Sequence, residues 1–397
     1  MPPLRHASRG PSWRAAALLV LASLGACASE PPLRCRFGEG HTLGAVHLAY
    51  DDVRLVAEGA GWRALWSAPD GLFARPIDGA GAPTGPTRRL GARCDGGLDA
   101  AALGAGALLV ACARRGDATK GRPGALVLLR FEEGVTTWRR RFDPVGRDAR
   151  GVAMAVRGDR VGLAWHDGVP GSWQLWFVEV ALGSAPEDAG AEAEDAPRPL
   201  SSSGVSAGAP RVWVDGERAL WTWAETWLEA GYPHGQVLVW SGRGLPQRVA
   251  EVDFEAPAPD LARDGRSLVV FFRDHRRPWR RPQLYARRVD DGLRPMAPAE
   301  RVGRANHRRG AVAFPCAGGL AAVIPRTWDE DVLVGLQVLD GQLEGRIREQ
   351  QIYEWAARFP VADGACVGDG AILALVGAEG RPEATRAPLH AMALRCE

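Results

Sequence analysis

The sequence predicts an all-β protein, a seven-bladed β-propeller built from four-stranded blades. A glycine-marked hairpin turn recurs at Gly61, Gly106, Gly158, Gly216, Gly265, Gly319 and Gly370, at intervals of 45 to 58 residues. Each turn is followed by a short apolar strand and then by a second one. A period of about 50 residues with four strands per unit belongs to propellers. Tandem immunoglobulin-like domains would need about 100 residues per unit, roughly twice this period.

Each element has its own signal. First strands precede the turns, as in Val152–Val156 and Arg211–Val214. Second strands follow them, among them Ala64–Trp66, Leu108–Cys112, Val161–Trp165, Ala219–Trp223 and Ile372–Val376. Asp215-Gly216, Asp264-Gly265 and Asp369-Gly370 favour primed turns, which require positive φ at their centre. Third strands run from Leu72–Ile77 to Leu389–Leu394, several ending on an acid and a glycine such as Asp78-Gly79 or Asp340-Gly341. A more polar fourth strand follows the first six, but none follows the last. Residues 34–50 carry Val46, Leu48 and Tyr50 at alternating spacing. They are expected to supply the missing outer strand of the last blade, because an unclosed ring leaves blade faces exposed. Residues 184–204, rich in acid, proline and small residues, read as a solvated loop in blade three. Trp66, Trp165, Trp221 and Trp223 fall within second strands and read as core.

The first 26 residues read as a processing segment. Arg5, Arg9 and Arg14 precede an apolar stretch, Ala15–Leu24, half the roughly 20 residues that a spanning helix needs. Leu24-Gly25-Ala26-Cys27 resembles the bacterial lipobox. That resemblance implies cleavage before Cys27, lipidation of its thiol and a tether over residues 27–33. Ala28, where aspartate would imply inner-membrane retention, implies the outer membrane, on its periplasmic or outer surface. Removing the leader lowers the formal charge from +2 to −1, so no net field draws in nucleic acid.

Six further cysteines suit an exported, disulfide-bonded domain, although six allow fifteen pairings. Cys94 and Cys112 flank one hairpin turn almost symmetrically. Cys316 and Cys366 lie 50 residues apart, close to one repeat. Cys35 and Cys396 remain, placed to staple the closing joint.

Loops joining second to third strands share a face with the connections between blades. Here they carry Trp173; Trp227, Tyr232 and His234 within Glu225–Gly235; Arg273, His275, Arg277 and Trp279 within Arg273–Pro282; and Arg326 and Trp328. Aromatic rings of this kind stack on sugars or clamp peptides, and arginines grip carboxylates. Each Trp could equally cap its own blade while the arginines pair with Asp274, Asp329 and Asp331. His166, His234, His275 and His307 share the face but lack metal-ligand spacing, so neither a metal nor another cofactor is expected.

Ser67-Ala68-Pro69-Asp70-Gly71 faintly resembles the aspartate box of sialidases, without its closing Thr-Trp and without repetition. That family's tyrosine–glutamate nucleophile pair is not matched by Tyr353 and Glu354, since neighbours on a strand point to opposite faces. The chain resembles bacterial propeller lipoproteins in its lipobox and repeats. The expected function is therefore binding or scaffolding at the envelope, through the Trp/Arg-rich face, of a protein, peptide or glycan. The alternative is a sialidase-like or other carbohydrate-active enzyme. A monomer anchored only through its lipid is expected. Cys27→Ala should abolish metabolic labelling with palmitate and move the chain from the membrane to the soluble fraction; a labelled variant would contradict the lipobox reading.

Overall fold

A computed structural model describes residues 35–47, 52–104, 106–116, 123–143, 148–169, 171–182, 196–253, 258–265, 267–275, 282–304, 310–316, 318–328, 331–340, 342–343, 345, 350–354, 361–368, 370–377 and 386–396. All lie in one compact unit, Arg34–Glu397. The leader, Cys27 and the tether fall outside the described residues. Those residues contain no helix, and so none long and apolar enough to cross a membrane.

Two strands, β1 (Cys35–Phe37) and β2 (His41–His47), open the described chain. Blade one is β3 (Val53–Glu58), β4 (Gly61–Ala68), β5 (Gly71–Ile77) and β6 (Arg88–Gly91). Blade two is β7 (Gly97–Ala102), β8 (Ala107–Arg114), β9 (Ala125–Glu132) and β10 (Val135–Phe142). Blade three is β11 (Ala149–Arg157), β12 (Arg160–Val169), β13 (Ser172–Ala181) and β14 (Arg198–Pro199). Blade four is β15 (Ser206–Asp215), β16 (Arg218–Glu229), β17 (Tyr232–Trp240) and β18 (Gln247–Val252). Blade five is β19 (Asp260–Arg263), β20 (Leu268–Asp274), β21 (Gln283–Val289) and β22 (Glu300–Arg304). Blade six is β23 (Val312–Cys316), β24 (Gly319–Trp328), β25 (Asp331–Leu339) and β26 (Gln350–Glu354). Blade seven is β27 (Val361–Val367), β28 (Ala371–Gly377) and β29 (Arg386–Cys396).

Within each blade the strands pair antiparallel in chain order, and the seven first strands touch in sequence around the ring until β27 meets β3. The chain is a seven-bladed propeller. β1 and β2 both pair with β29, from Cys35↔Cys396 to His47↔Arg386, and complete the last blade. Val46 is fully buried there, while Leu48 and Tyr50 lie outside the described residues. The fourth strand of blade three falls at Arg198–Pro199, inside the stretch expected to be loop. Its backbone pairs with Trp176 and Phe177 of β13 despite the polar sequence around it.

Positive φ falls on Gly106, Gly158, Gly216, Gly265 and Gly370, as the turns require. In blades one and six the left-handed residue is instead Gly59 or Gly318, just before the marked glycine. The core is a series of layers between neighbouring blades. Between blades three and four, Phe177 meets Trp221 and Trp240 edge-on, at 5.3 and 5.1 Å. Trp221 lies so near Gly162 that a Cβ there would come within 2.8 Å of the indole. Burying a ring of this size contributes about 2–3 kcal/mol, so these rings add to the cohesion of blades three and four.

The three cystines are Cys35–Cys396, Cys94–Cys112 and Cys316–Cys366. Leu98, not Cys94, lies opposite Cys112. Cys94 reaches Cys112 from the connector, where the Gly97 N–H donates to the Cys94 carbonyl. Cys316–Cys366 joins the innermost strands of blades six and seven. Cys35–Cys396 closes the ring across 361 residues, a span over which cross-linking restricts the unfolded chain strongly. Replacing Cys35 and Cys396 together by serine should lower unfolding free energy by about 3–5 kcal/mol, read as an earlier urea midpoint. An unmoved midpoint would mean that strand pairing alone closes the ring.

Candidate functional site

Two places gather polar side chains: the central channel and the face bearing the second-to-third-strand hairpins. In the channel, equivalent register positions on the innermost strands hold Arg54, Asp99, Ala153, Arg211, Asp260, Val312 and Asp363. Each aspartate accepts two backbone N–H groups. Asp99 takes those of Ala100 and, in the next blade, Met154 at 2.9 and 2.8 Å. Asp260 takes Leu261 and Ala313 at 2.9 and 2.8 Å. Asp363 takes Gly364 and Leu55 at 2.9 and 2.6 Å. Three carboxylates thus staple six of the seven innermost strands; blade four, at Val212, has none.

Arg54 sits between two of these staples and donates its Nε to Asp99 at 3.1 Å and a terminal nitrogen to Asp52 at 3.3 Å. Burial works against its charge, but Asp52, Asp99 and Asp363 outweigh burial and hold the guanidinium protonated. Burial pushes the Asp363 carboxyl up to about 6, against the pull of Arg54 and the two N–H donors. Asp260 is raised for the same first reason. The channel carboxylates are thereby engaged in joining blades. Their sequence signal is an aspartate followed five residues later by a glycine, Asp99 by Gly104, Asp260 by Gly265 and Asp363 by Gly368, of which only Gly265 is a repeating turn glycine.

On the hairpin face, carboxylates at matching ends of second strands tie down the connectors. Asp167, Glu225 and Asp274 accept the N–H groups of Asp148, Ser202 and Asp253 at 3.1, 3.0 and 3.1 Å. Glu225 also receives Trp223 Nε1 and Gln236 Nε2. The Glu225–Gly235 stretch is a projecting hairpin rather than a loop: β16 and β17 stay paired to Glu229↔Tyr232. Ala230 and Gly231 both take positive φ, the requirement of a two-residue primed turn.

Strand alternation turns Trp227, Glu229, Tyr232 and His234 of blade four toward blade three. It turns His166 and Trp173 of blade three toward blade four, continuing the side that holds Phe177 and Trp221. The two hairpins thus line a cleft. On one wall Arg150 lies over the Trp173 ring at 4.8 Å, and Trp173 meets His166 edge-on at 5.2 Å. On the other, Trp227 and His234 stack at 6.3 Å, below Tyr232, which is 69 % exposed. Burial first, then Arg150, pushes His166 down to about 3, so its imidazole is neutral.

The structure brings Trp173, Trp227 and Tyr232 to this cleft. Arg273 is fully buried in β20, not on an exposed loop, because β20 extends through it to Asp274. Arg326 and Trp328 belong to the β24 end of the next hairpin, with side chains outside the described residues. Arg277, Trp279 and His307 also fall outside them. No group of three metal-ligating side chains occurs among the described residues. Ser67–Gly71 is the tight β4–β5 connection, with Ala68 paired to Gly71.

No family model and no curated protein sequence matches the chain. Among solved structures it is similar to an ulvan lyase of polysaccharide lyase family PL25, with 9 % identity, TM-score 0.52 and coverage of 87 % of this chain and 97 % of that one. It also aligns with a subtype N10 neuraminidase-like protein of A/little yellow-shouldered bat/Guatemala/060/2010, at 11 % identity, TM-score 0.45, and 92 % and 100 % coverage. A Trypanosoma rangeli sialidase aligns at 8 % identity, TM-score 0.44, over 72 % of this chain and 52 % of that one. At these identities the likeness is one of fold.

The Asp363 shift has a sign that can be measured. Its carboxyl binds a proton more tightly folded than unfolded, so folding loses stability as pH rises from about 4 through 6. Asp363→Asn should gain on the parent by about 2–3 kcal/mol between pH 4 and pH 7, read from paired urea titrations. Parallel pH profiles would contradict the shift.

Proposed function

We propose that the chain is an envelope-anchored binding module that holds a glycan in the cleft between blades three and four. The observation that carries the reading is the facing pair of aromatic walls, Trp173 on one side and Trp227 with Tyr232 on the other. Rings on opposite walls stack on the apolar faces of successive sugars, and nearby imidazole, guanidinium and phenol groups meet their hydroxyls. The projecting hairpin of blade four supplies an edge that a chain ligand can lie along. The fold likeness to a polysaccharide lyase supports this ligand class, and the lipid expected at Cys27 would keep the cleft near the membrane. The channel aspartates favour binding over hydrolysis, because each is occupied by backbone N–H groups.

Full-length protein in detergent, applied to a glycan array with mass-spectrometric readout of each spot, should be retained without cleavage. Trp227→Ala and Tyr232→Ala should each weaken retention about tenfold or more. Cleaved spots would make the protein an enzyme, and unchanged affinity in both variants would move the site elsewhere.

A further inference from the structure

Within the glycan-binding reading above, the geometry points to one ligand class: the cleft takes uncharged sugars and turns away uronate and sulfate groups. Arg150 is the one arginine that the described cleft presents, and its charge is already matched. Its Nε and one terminal nitrogen both donate to the same Asp148 oxygen, at 2.7 and 2.5 Å. His166 adds no charge, since its imidazole is neutral. Opposite these groups stand the carboxylates of Glu225, Glu229 and Asp253, the last 3.5 Å from His234 Nδ1. Asp167 lies directly behind Asp148 and accepts its N–H. The fixed charge of the cleft is therefore negative, and in a partly desolvated site that sign opposes an incoming anion.

The groups left to meet a ligand suit hydroxyls. Gly151 and Gly208 line the seat of His166; a Cβ on Gly151 would stand 2.7 Å from the ring. Nδ1 is buried in that seat without a hydrogen-bond partner. A bare lone pair is the cheaper group to bury, so the proton belongs on Nε2. Arg150 keeps its second terminal nitrogen free of any partner among the described residues. Two donors stand beside the Trp173 ring, and the Glu229 carboxylate and Tyr232 hydroxyl on the blade-four side supply acceptors. A sugar hydroxyl donates and accepts together, matching both walls; a carboxylate or sulfate only accepts.

The test uses full-length protein in detergent and matched tetrasaccharide pairs differing only at C6: β-1,4-glucose and β-1,4-glucuronate, α-1,4-galactose and α-1,4-galacturonate, β-1,4-mannose and β-1,4-mannuronate. For whichever backbone binds, the neutral member should bind at least tenfold tighter, with affinity unchanged between 50 and 500 mM NaCl, about the range over which surface charge is screened. His166→Ala and Trp173→Ala should each weaken it about tenfold. The exposed substitutions Glu229→Gln and Asp253→Asn, combined, should raise uronate affinity severalfold without threatening the fold. A uronate bound as tightly as its neutral partner overturns the inference, as does an unchanged uronate affinity in the double variant. Neutral binding that depends on Trp227 but not on His166 or Trp173 overturns it while leaving the glycan site standing. Capture of peptides with no tetrasaccharide bound overturns both readings.

Discussion

Seven sheets arranged in a ring leave seven innermost strands with one edge unpaired, all facing a common channel. An edge N–H that finds neither water nor a partner is costly, and nothing in strand pairing by itself fastens one blade to the next. Asp99, Asp260 and Asp363 meet both needs. Each accepts its own strand's next N–H and the equivalent N–H one blade further on. Arg54 then lies between two of these carboxylates and holds blades seven, one and two as a charged unit.

The cleft lies at a junction the staples leave out, between blades three and four, where edge-on packing of Phe177 against Trp221 and Trp240 joins the blades instead. His166 and Trp173 face Trp227 and Tyr232 because β12, β13, β16 and β17 continue past the point where blade one turns. Carboxylates at the ends of the second strands fasten the connectors beside it. They also set the sign of the local field. The groups that rigidify the face therefore choose among ligands, by charge, before any contact is made.

The ring was readable in the sequence because turn glycines and apolar second strands impose a period that no single residue can disguise. Closure was readable too, since a missing fourth strand and an unassigned leading segment answer each other, and Cys35 pairs with Cys396 where they meet. Strand ends were harder. The run from Thr226 to His234 looks like an aromatic loop, but Ala230 and Gly231 adopt the two positive φ values that keep it a hairpin. Arg273 resembles an exposed neighbour of Arg276 and Arg277, yet β20 carries it inside; sequence gives no sign of which residue ends a strand. The staples had a pattern, aspartate five residues before a glycine, but only at blades two, five and seven, too sparse to stand out beside the turn glycines. Arg150 and His166 come together solely through register, which a linear reading does not supply.

The interblade staples hold the ring together, and residue-resolved amide hydrogen exchange under native conditions tests them most directly. The amides of Leu55, Met154 and Ala313, which donate across blades, should exchange only through global unfolding and share its free energy. Val212, the equivalent residue in blade four with no staple, should exchange faster. If Leu55, Met154 and Ala313 exchange as readily as Val212, the carboxylates do not hold the ring together.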